Sequence, residues 1–429
     1  MQYVDRMHGY FREDVEKRSR ETTTELQETR FLEILRYTYE NCPGMREKLQ
    51  NRPQRIDDIR GLNDLRKLPV LAKGELIELQ RNAPPFGGLL GVPEEKLSWI
   101  FISPGPIYDP AAASNEDRES TLTTALFSCG FRKGDKVLNT WSYHMVPAGM
   151  YCDLALRNLG CIVIPSGTGN TESQVQILKN LKVTGFVGTT GYLINIIEKA
   201  EQMGIDPKKN FNLEVALVGG EPGGGPIRRV LEEKYGIITG DFYGTADVGV
   251  IAYECREKRG MHLTDNAIVE ILDPDSREVL PPGEVGEIVV TTFNKTYPLI
   301  RFGTGDLSVL NLEYCPCGRT SPMIPKILGR VGEAVRVRGM LIYAKQCEQV
   351  IKLFPEILAF NITVTRPKYR DLLKLEAELK GHSIQREILI TALAQKFQEI
   401  CRITPDEIVL LHSGELRDRK GIITDERTY

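Results

Sequence analysis

Net charge is nearly absent from this sequence. Across 429 residues, 55 lysines and arginines face 58 aspartates and glutamates, for a formal charge of −3. That gives no bulk electrostatic argument for nucleic acid or an acidic membrane as partner. Long apolar runs are missing too. Nothing approaches the roughly 18–20 residues needed to cross a bilayer. The charged opening MQYVDRMHGYFREDVEKRSRE lacks the apolar core and small-residue cleavage site of a secretory leader, so a cytoplasmic location is expected. Cysteine is present but odd in number, at nine, which argues against a disulfide framework in a long chain without a leader. There is no internal repeat and no low-complexity segment. The length exceeds one simple core, so two or three domains are expected.

Residues 10–50 have helical spacing at Leu26, Phe31, Ile34, Leu35 and Tyr39,. From about 95 to 310, short apolar runs (KVLNTW, CIVIP, TGFVGT, EVALVGG) alternate with amphipathic stretches such as 171–183 and 191–203. That alternation predicts an α/β domain with a mainly parallel sheet. The runs IVEIL, EIVVTT and DLSVL, between turns at Asp273-Pro274 and Pro281-Pro282-Gly283, predict a β-rich subdomain. Beyond Gly329-Arg330 the pattern becomes a strand pair, a helix, ILAFNITVT, LLKLEAEL, a long helix near 384–402 and EIVLLH. The expectation is a large α/β N-terminal domain over 1–329 and a small α+β C-terminal domain over 330–429.

Three segments carry candidate chemistry. Gly219-Gly220-Glu221-Pro222 ends an apolar strand, at the carboxyl edge where α/β proteins place ligands; glycines let a backbone approach a ring, or simply reverse the chain. In Asp241-Phe242-Tyr243-Gly244-Thr245-Ala246-Asp247, Tyr243 offers a ring to stack on a base. Thr245 offers a hydroxyl for phosphate and Asp247 a carboxylate for Mg²⁺. The same residues also read as a strand-to-loop turn capped by Asp247. In Arg301-Phe302-Gly303-Thr304-Gly305-Asp306, Asp306 is placed to accept from ribose hydroxyls and the nearby arginine to bind phosphate, or Asp306 is a turn residue.

Together, in order and spacing, these segments resemble the adenylate-forming ligase superfamily, and within it the phenylacetate–CoA ligase branch. Gly283-Glu284-Val285-Gly286-Glu287 through Asp306-Leu307, and Cys315-Pro316-Cys317-Gly318-Arg319-Thr320 followed by Leu328-Gly329-Arg330, are similar to that branch's patterns. The resemblance implies an ATP-dependent carboxylic acid–CoA ligase acting through an acyl-adenylate, with ATP/AMP, Mg²⁺ and coenzyme A as cofactors. It implies that the C-terminal domain is mobile. Gly220, Glu221 and Pro222 match the adenine-side turn. Asp241, Phe242, Tyr243, Gly244 and Thr245 match the loop around adenine and the α-phosphate. Asp247 stands at the metal-binding glutamate, Asp306 at the ribose aspartate with Arg330 beside it, Gly332 at the hinge and Gly339 in the loop that approaches the thiol. Thr245, Asp247 and Lys420, within Arg417-Asp418-Arg419-Lys420-Gly421, are the implied catalytic groups; the basic tail also reads as a solvated segment.

The segments 139–149 and 165–171 match those that border the acid in the family, with Trp141, Tyr143, His144 and Gly167 as pocket candidates for an aryl or short acyl acid; Trp141 reads equally as core. Cys255, His262, Cys315 and Cys317 form the Cys₃His set of a structural zinc site, at positions where some relatives carry one, or are unpaired cytosolic cysteines. One departure matters. The family's phosphate loop is rich in Ser, Thr and Gly and holds a lysine. Here Phe101-Ile102-Ser103-Pro104-Gly105-Pro106-Ile107-Tyr108-Asp109-Pro110 has no lysine, and each proline removes an N–H donor. With Ala246 in place of a hydroxyl residue, this resembles a variant subgroup. It leaves open an adenylating enzyme for another acid or a carrier protein, and a non-catalytic nucleotide- or acyl-CoA-binding protein. The expected partners are small molecules, without nucleic acid or membrane; a homodimer is compatible.

Overall fold

The computed structural model describes residues 5–50, 56–103, 106–112, 116–220, 225–338, 340–365, 367, 371–381, 385–416 and 423–427. The chain divides into two compact units. The first comprises 1–284, 288–304 and 309–326, and the second 285–287, 305–308 and 327–429. No helix among the described residues is long and apolar enough to cross a membrane.

The first unit is built on an eight-stranded sheet. Its order is Met323–Ile324, Met261–Leu263, Gly249–Glu254, Ile238–Thr245, Val215–Gly219, Gly185–Gly188, Lys136–Asn139 and Ile162–Pro165. The last five run parallel, and the first three add antiparallel pairings at one side. The parallel strands are short apolar runs because both faces are covered. Side chains alternate across the pleat. Val137, Val187, Val215 and Leu217 enter one core with Leu126, Phe131 and Leu156. Leu138, Phe186, Ala216 and Val218 enter the other with Leu193, Ile196 and Leu231. The helix Thr190–Gln202 shows the local logic. Thr189 caps it by accepting from the Tyr192 N–H, and Leu193, Ile196, Ile197 and Ala200 form the buried stripe. Each fully buried Leu or Ile contributes about 1.5–3 kcal/mol.

A second sheet runs Leu71–Ala72, Phe302–Val309, Val285–Thr292, Ala267–Leu272. The short strand Leu71–Ala72 lies parallel to Phe302 and Gly303 and leads straight into the helix Lys73–Asn82. Arg301 fixes this junction. It is 2% exposed and has φ +49°. Its guanidinium donates through Nε and Nη2 to both oxygens of Glu270, at 2.9 and 3.1 Å. Nη1 donates to the carbonyls of Arg66 and Leu68, at 3.1 and 2.7 Å. Its own carbonyl accepts from the Leu71 N–H at 2.8 Å. The suggestion that this arginine binds phosphate is therefore corrected: its donors are spent inside the core. Burial pushes the Glu270 carboxyl upward, and Arg301 opposes that shift.

In the second unit a sheet runs Glu407–Leu411, Leu372–Leu379, Ile357–Thr365, Ile423–Asp425. It buries Ile362, Val364, Leu373, Leu375 and Ala377 against the helices Ala344–Ile351 and Arg386–Cys401. The latter buries Leu389, Leu393, Phe397 and Cys401 along one stripe.

Replacing Arg301 by alanine strands the Glu270 carboxylate and the buried Leu68 carbonyl. The expected loss is about 3–5 kcal/mol, the cost of breaking a buried ion pair from one side. It is read as a fall in the urea midpoint, and an unchanged midpoint would refute the role.

Candidate active site

The parallel strands end at Asn139, Pro165, Gly188 and Gly219, and the strand beside them at Thr245. Strand order reverses around Lys136–Asn139, with the next two strands of the chain, Ile162–Pro165 and Gly185–Gly188, on opposite sides of it; open α/β sheets bind ligands at such a point, beyond the carboxyl ends. Asn139, fully buried, organises this edge. Its Nδ2 donates to the Tyr143 hydroxyl at 2.7 Å and to the Gly149 carbonyl at 2.9 Å, and its Oδ1 accepts from the Trp141 N–H at 3.1 Å. Its carbonyl accepts from the N–H groups of Ser166 and Gly167. The two loops expected to border the acid are thus brought together by one amide. Gln174, also buried, donates to Ser166 Oγ and the Gly167 carbonyl.

Trp141 and Tyr143 are half-buried, and His144 is exposed, its backbone N–H donating to Ser142 Oγ. Burial and the Asp153 carboxylate push the Tyr143 phenol upward, so it stays protonated. Trp141 meets Phe242 edge-on, with centroids 6.2 Å apart at 75°. Gly220 has φ +74°, and a Cβ there would lie 2.9 Å from the Trp141 ring. Gly167, with φ +63°, lies 4.0 Å by the same measure from Tyr143. Trp141, Tyr143, Gly167, Gly220 and Phe242 therefore line one edge. Glu221 and Pro222 lie outside the described residues.

Asp241 accepts from the Phe242 N–H at 2.7 Å and faces Arg228 at 3.5 Å. Tyr243 is 7% exposed, leaving little ring surface, while Phe242 is half-buried. Gly244 packs under Gly249: a Cβ would lie 2.5 Å from that carbonyl. Thr245 Oγ1 accepts from the Val248 N–H at 3.2 Å. Asp247 has no side-chain exposure and pairs with Lys73 at 2.8 Å. Lys73 carried no mark in the sequence beyond following a short apolar run.

Within the stretch read as a phosphate-type loop, residues on either side pair as strands, Leu97–Ser103 with Ile107–Ala112, so that Pro110 lies opposite Ile100 and Ser103 opposite Ile107; Pro104 and Gly105 lie outside the described residues. Proline is tolerated there because a two-stranded sheet leaves edge N–H positions unused.

Within the second unit, Asp306 lies opposite Arg330 in an antiparallel pair. The Arg330 Nε is 3.4 Å from its carboxylate, with side chains 57% and 16% exposed respectively. Such a pair is worth about 0–1 kcal/mol, too little to explain the residues by stability. Gly305 has φ +76° and donates its N–H to Glu287 at 3.0 Å. A side chain at Gly332 would meet nothing. Gly339 and Lys420 lie outside the described residues.

Cys255, His262, Cys315 and Cys317 converge. All four are buried, and their ligand atoms lie within 4.8 Å of one another. Cys255 and His262 flank a tight turn into the strand Met261–Leu263, which pairs on its other side with Met323–Ile324. The Cys317 sulfur is 3.4 Å from His262 Nε2 and accepts from the Arg319 N–H at 3.4 Å. Ser321 Oγ stands 3.4 Å from His262 Nδ1, the outer contact that orients a ligating imidazole. Hydrogen bonding from Cys255, then from His262, holds the Cys317 thiol far below its ordinary value. Burial instead pushes Cys129, Cys152 and Cys161 up to about 12, which marks them as inert core thiols.

The AMP-binding enzyme family matches residues 118–294. A phenylacetate–coenzyme A ligase from Thermus thermophilus is 32% identical over 381 residues, covering 86% of this chain and 83% of its own. One from Escherichia coli is 29% identical over 413 residues, covering 92% of each. Among solved structures, an open conformation of 2-hydroxyisobutyryl-CoA ligase, in complex with 2-HIB-AMP and CoA, matches with TM-score 0.88 at 23% identity. It covers 96% of this chain and 93% of its own. The amide bond synthetase McbA from Marinactinospora thermotolerans matches with TM-score 0.50 at 17% identity.

Gly220→Ala should fold but lose about 1–2 kcal/mol from the left-handed backbone, and should displace the Trp141 ring. With two tryptophans in the chain, intrinsic fluorescence reads the displacement directly. An unaltered spectrum with unaltered stability would mean the ring does not rest on this glycine.

Proposed function

The chain belongs to the phenylacetate–coenzyme A ligase family of adenylate-forming enzymes, and on that premise we propose how its residues divide the work of an ATP-dependent acid–CoA ligase. In the first step an acid carboxylate oxygen attacks the α-phosphorus of ATP, forming the acyl–phosphate bond of an acyl-adenylate and releasing pyrophosphate. In the second the CoA sulfur attacks the acyl carbon, its proton leaves to solvent, and AMP departs. The observation that carries the reading is the match of curated ligases along most of the chain, with acid-side and nucleotide-side loops following the carboxyl ends of one sheet.

On the nucleotide side we assign Gly220, Glu221 and Pro222 to the adenine edge, with Asp241, Phe242, Tyr243 and Gly244 completing its surroundings. Thr245 donates its hydroxyl to the α-phosphate. Asp306 accepts from the ribose hydroxyls, with Arg330 beside it. Lys420 neutralises charge as the carboxylate attacks, and Gly339 lets the backbone approach the thiol. Asp247 would hold Mg²⁺, which when bound offsets phosphate charge. On the acid side, Trp141, Tyr143, His144 and Gly167 form the pocket. Its aromatic walls and single protonated phenol suit an aryl acid, although a short acyl acid would also fit. Need of ATP and CoA puts the enzyme in the cytoplasm.

Cys255, His262, Cys315 and Cys317 would hold zinc. The buried Cys₃His donor set fits that ion, and with four protein ligands the site is closed to water, hence structural. It would tie a turn and a distant loop that are otherwise joined through strands of three and two residues.

Elemental analysis should find about one zinc per chain, lost in Cys315→Ser together with part of the thermal stability; a folded, metal-free wild-type protein would exclude the assignment. For activity, pyrophosphate release from ATP and Mg²⁺ is measured with and without CoA across aryl and aliphatic acids. Acid-dependent release sustained over many turnovers only with CoA is expected. Nucleotide binding without release for any acid would favour a non-catalytic binding protein, the reading that the proline-bearing hairpin supports.

A further inference from the structure

The sequence Ser103-Pro104-Gly105-Pro106 has no lysine, and its prolines lack N–H donors,, so a triphosphate needs a cation from elsewhere. We propose that Lys73 is that cation: its ammonium binds the phosphates of ATP in place of the missing loop lysine, and is parked on Asp247 until nucleotide arrives. The proposal rests on the ligase reading above.

Four observations converge. First, Lys73 Nζ lies 2.8 Å from Asp247 Oδ2. Asp247 is two residues beyond Thr245, so the ammonium stands at the loop assigned to the α-phosphate. Second, the pair is lopsided. Asp247 has no exposed side-chain surface, while the Lys73 side chain is 32% exposed. An anion approaching from solvent meets the ammonium, with the carboxylate behind it. Third, Lys73 is the first residue of the helix Lys73–Asn82. A cation there opposes the helix dipole by about 0.3–1 kcal/mol, so propensity does not explain it. Compensating a buried carboxylate, whose desolvation costs several kcal/mol, does. Fourth, the same helix is tied to the hairpin. Gln80 donates through Nε2 to the Tyr108 carbonyl and accepts from the Tyr108 N–H through Oε1, both at 2.8 Å. Lys73 is therefore tied through its helix to the strand Ile107–Ala112, which directly follows the lysine-free segment.

The helix start is equally fixed. Leu71 and Ala72 pair with Phe302 and Gly303, and Arg301 holds the carbonyls at 66 and 68. What remains free to move is the lysine side chain, which can swing from carboxylate to phosphate without backbone change. Its three donors suit phosphate oxygens as a point charge.

The test is calorimetry of ATP and of adenosine, each with EDTA and with Mg²⁺. Lys73→Met should weaken ATP binding about ten- to a hundredfold in EDTA, the worth of a charge-assisted hydrogen bond, and leave adenosine unchanged. Lys73→Arg should restore most of the ATP affinity. Asp247→Asn, which frees the ammonium, should hold or tighten ATP binding in EDTA while losing the gain from Mg²⁺. If Lys73→Met alone unfolds, the double variant Lys73→Met/Asp247→Asn, with no buried charge, should fold and show the same ATP deficit. Wild-type ATP affinity in that variant or in Lys73→Met would overturn the assignment. Wild-type protein binding neither ATP nor adenosine would overturn the nucleotide reading, and this inference with it.

Discussion

A single buried guanidinium sets the frame on which the nucleotide side is built. Arg301 neutralises Glu270 and ties the carbonyls at 66 and 68 to the strand beginning at Phe302. Without that tie, the buried Leu68 carbonyl would lose its side-chain donor. With it, the strand Leu71–Ala72 has a fixed register, and the helix that follows begins at one place. The position of Lys73 relative to Asp247 is thus a consequence of an ion pair remote from both in sequence. Buried ion pairs contribute little net stability compared with a packed apolar core, but they penalise alternative arrangements heavily. A site that must place an ammonium to within ångströms gains from that penalty.

The acid side is organised on a neutral version of the same principle. Asn139 uses both amide hydrogens and its oxygen, while its backbone carbonyl takes two further donors. The loops that follow Asn139 and Pro165 are both bonded to Asn139, which ends a buried strand. Gln174 repeats the arrangement one loop over. Satisfied buried amides of this kind cost little and specify much. The Asp153 carboxylate meets this edge by accepting from the Tyr143 hydroxyl at 3.3 Å.

Much of this was legible in the sequence because it rests on local periodicity. The runs KVLNTW, CIVIP and EVALVGG became parallel strands, and the spacing of Leu193, Ile196, Ile197 and Ala200 became a buried helix face. The order of elements in the second unit was readable for the same reason. The cysteine–histidine set was readable from residue type, since few environments gather three thiols and an imidazole. What escaped depends on pairings across long separations. Arg301 and Glu270 are 31 residues apart, and Lys73 and Asp247 are 174 apart. No pattern in either local sequence announces its partner. In the Gly-rich setting of Arg301, a charged residue reads as a ligand-binding group, and burial reverses that reading. The strand pairing within the segment 101–110 escaped for a different cause. Its prolines signal a loop, but in a two-stranded hairpin the strands have open edges and need fewer donors than a central strand would.

The loss of the loop lysine and the gain of Lys73 are not a one-for-one exchange of charge. A Gly- and Ser-rich loop surrounds a triphosphate with backbone N–H groups, so shape and charge are supplied together. The sequence Ser103-Pro104-Gly105-Pro106 here has no lysine and two residues without an N–H,. An ammonium on a rigid helix supplies charge at a fixed point but no enclosing geometry. It would also compete with Mg²⁺ for Asp247 under the assignment proposed here, because one carboxylate cannot compensate two cations as well as one. Under the assignment proposed here the lysine would turn to phosphate while the carboxylate would hold Mg²⁺, since the phosphates bring enough negative charge for both. Before that moment the pair Lys73–Asp247 keeps a buried carboxylate compensated without metal, and the free enzyme holds its site in order at the expense of no unpaired charge.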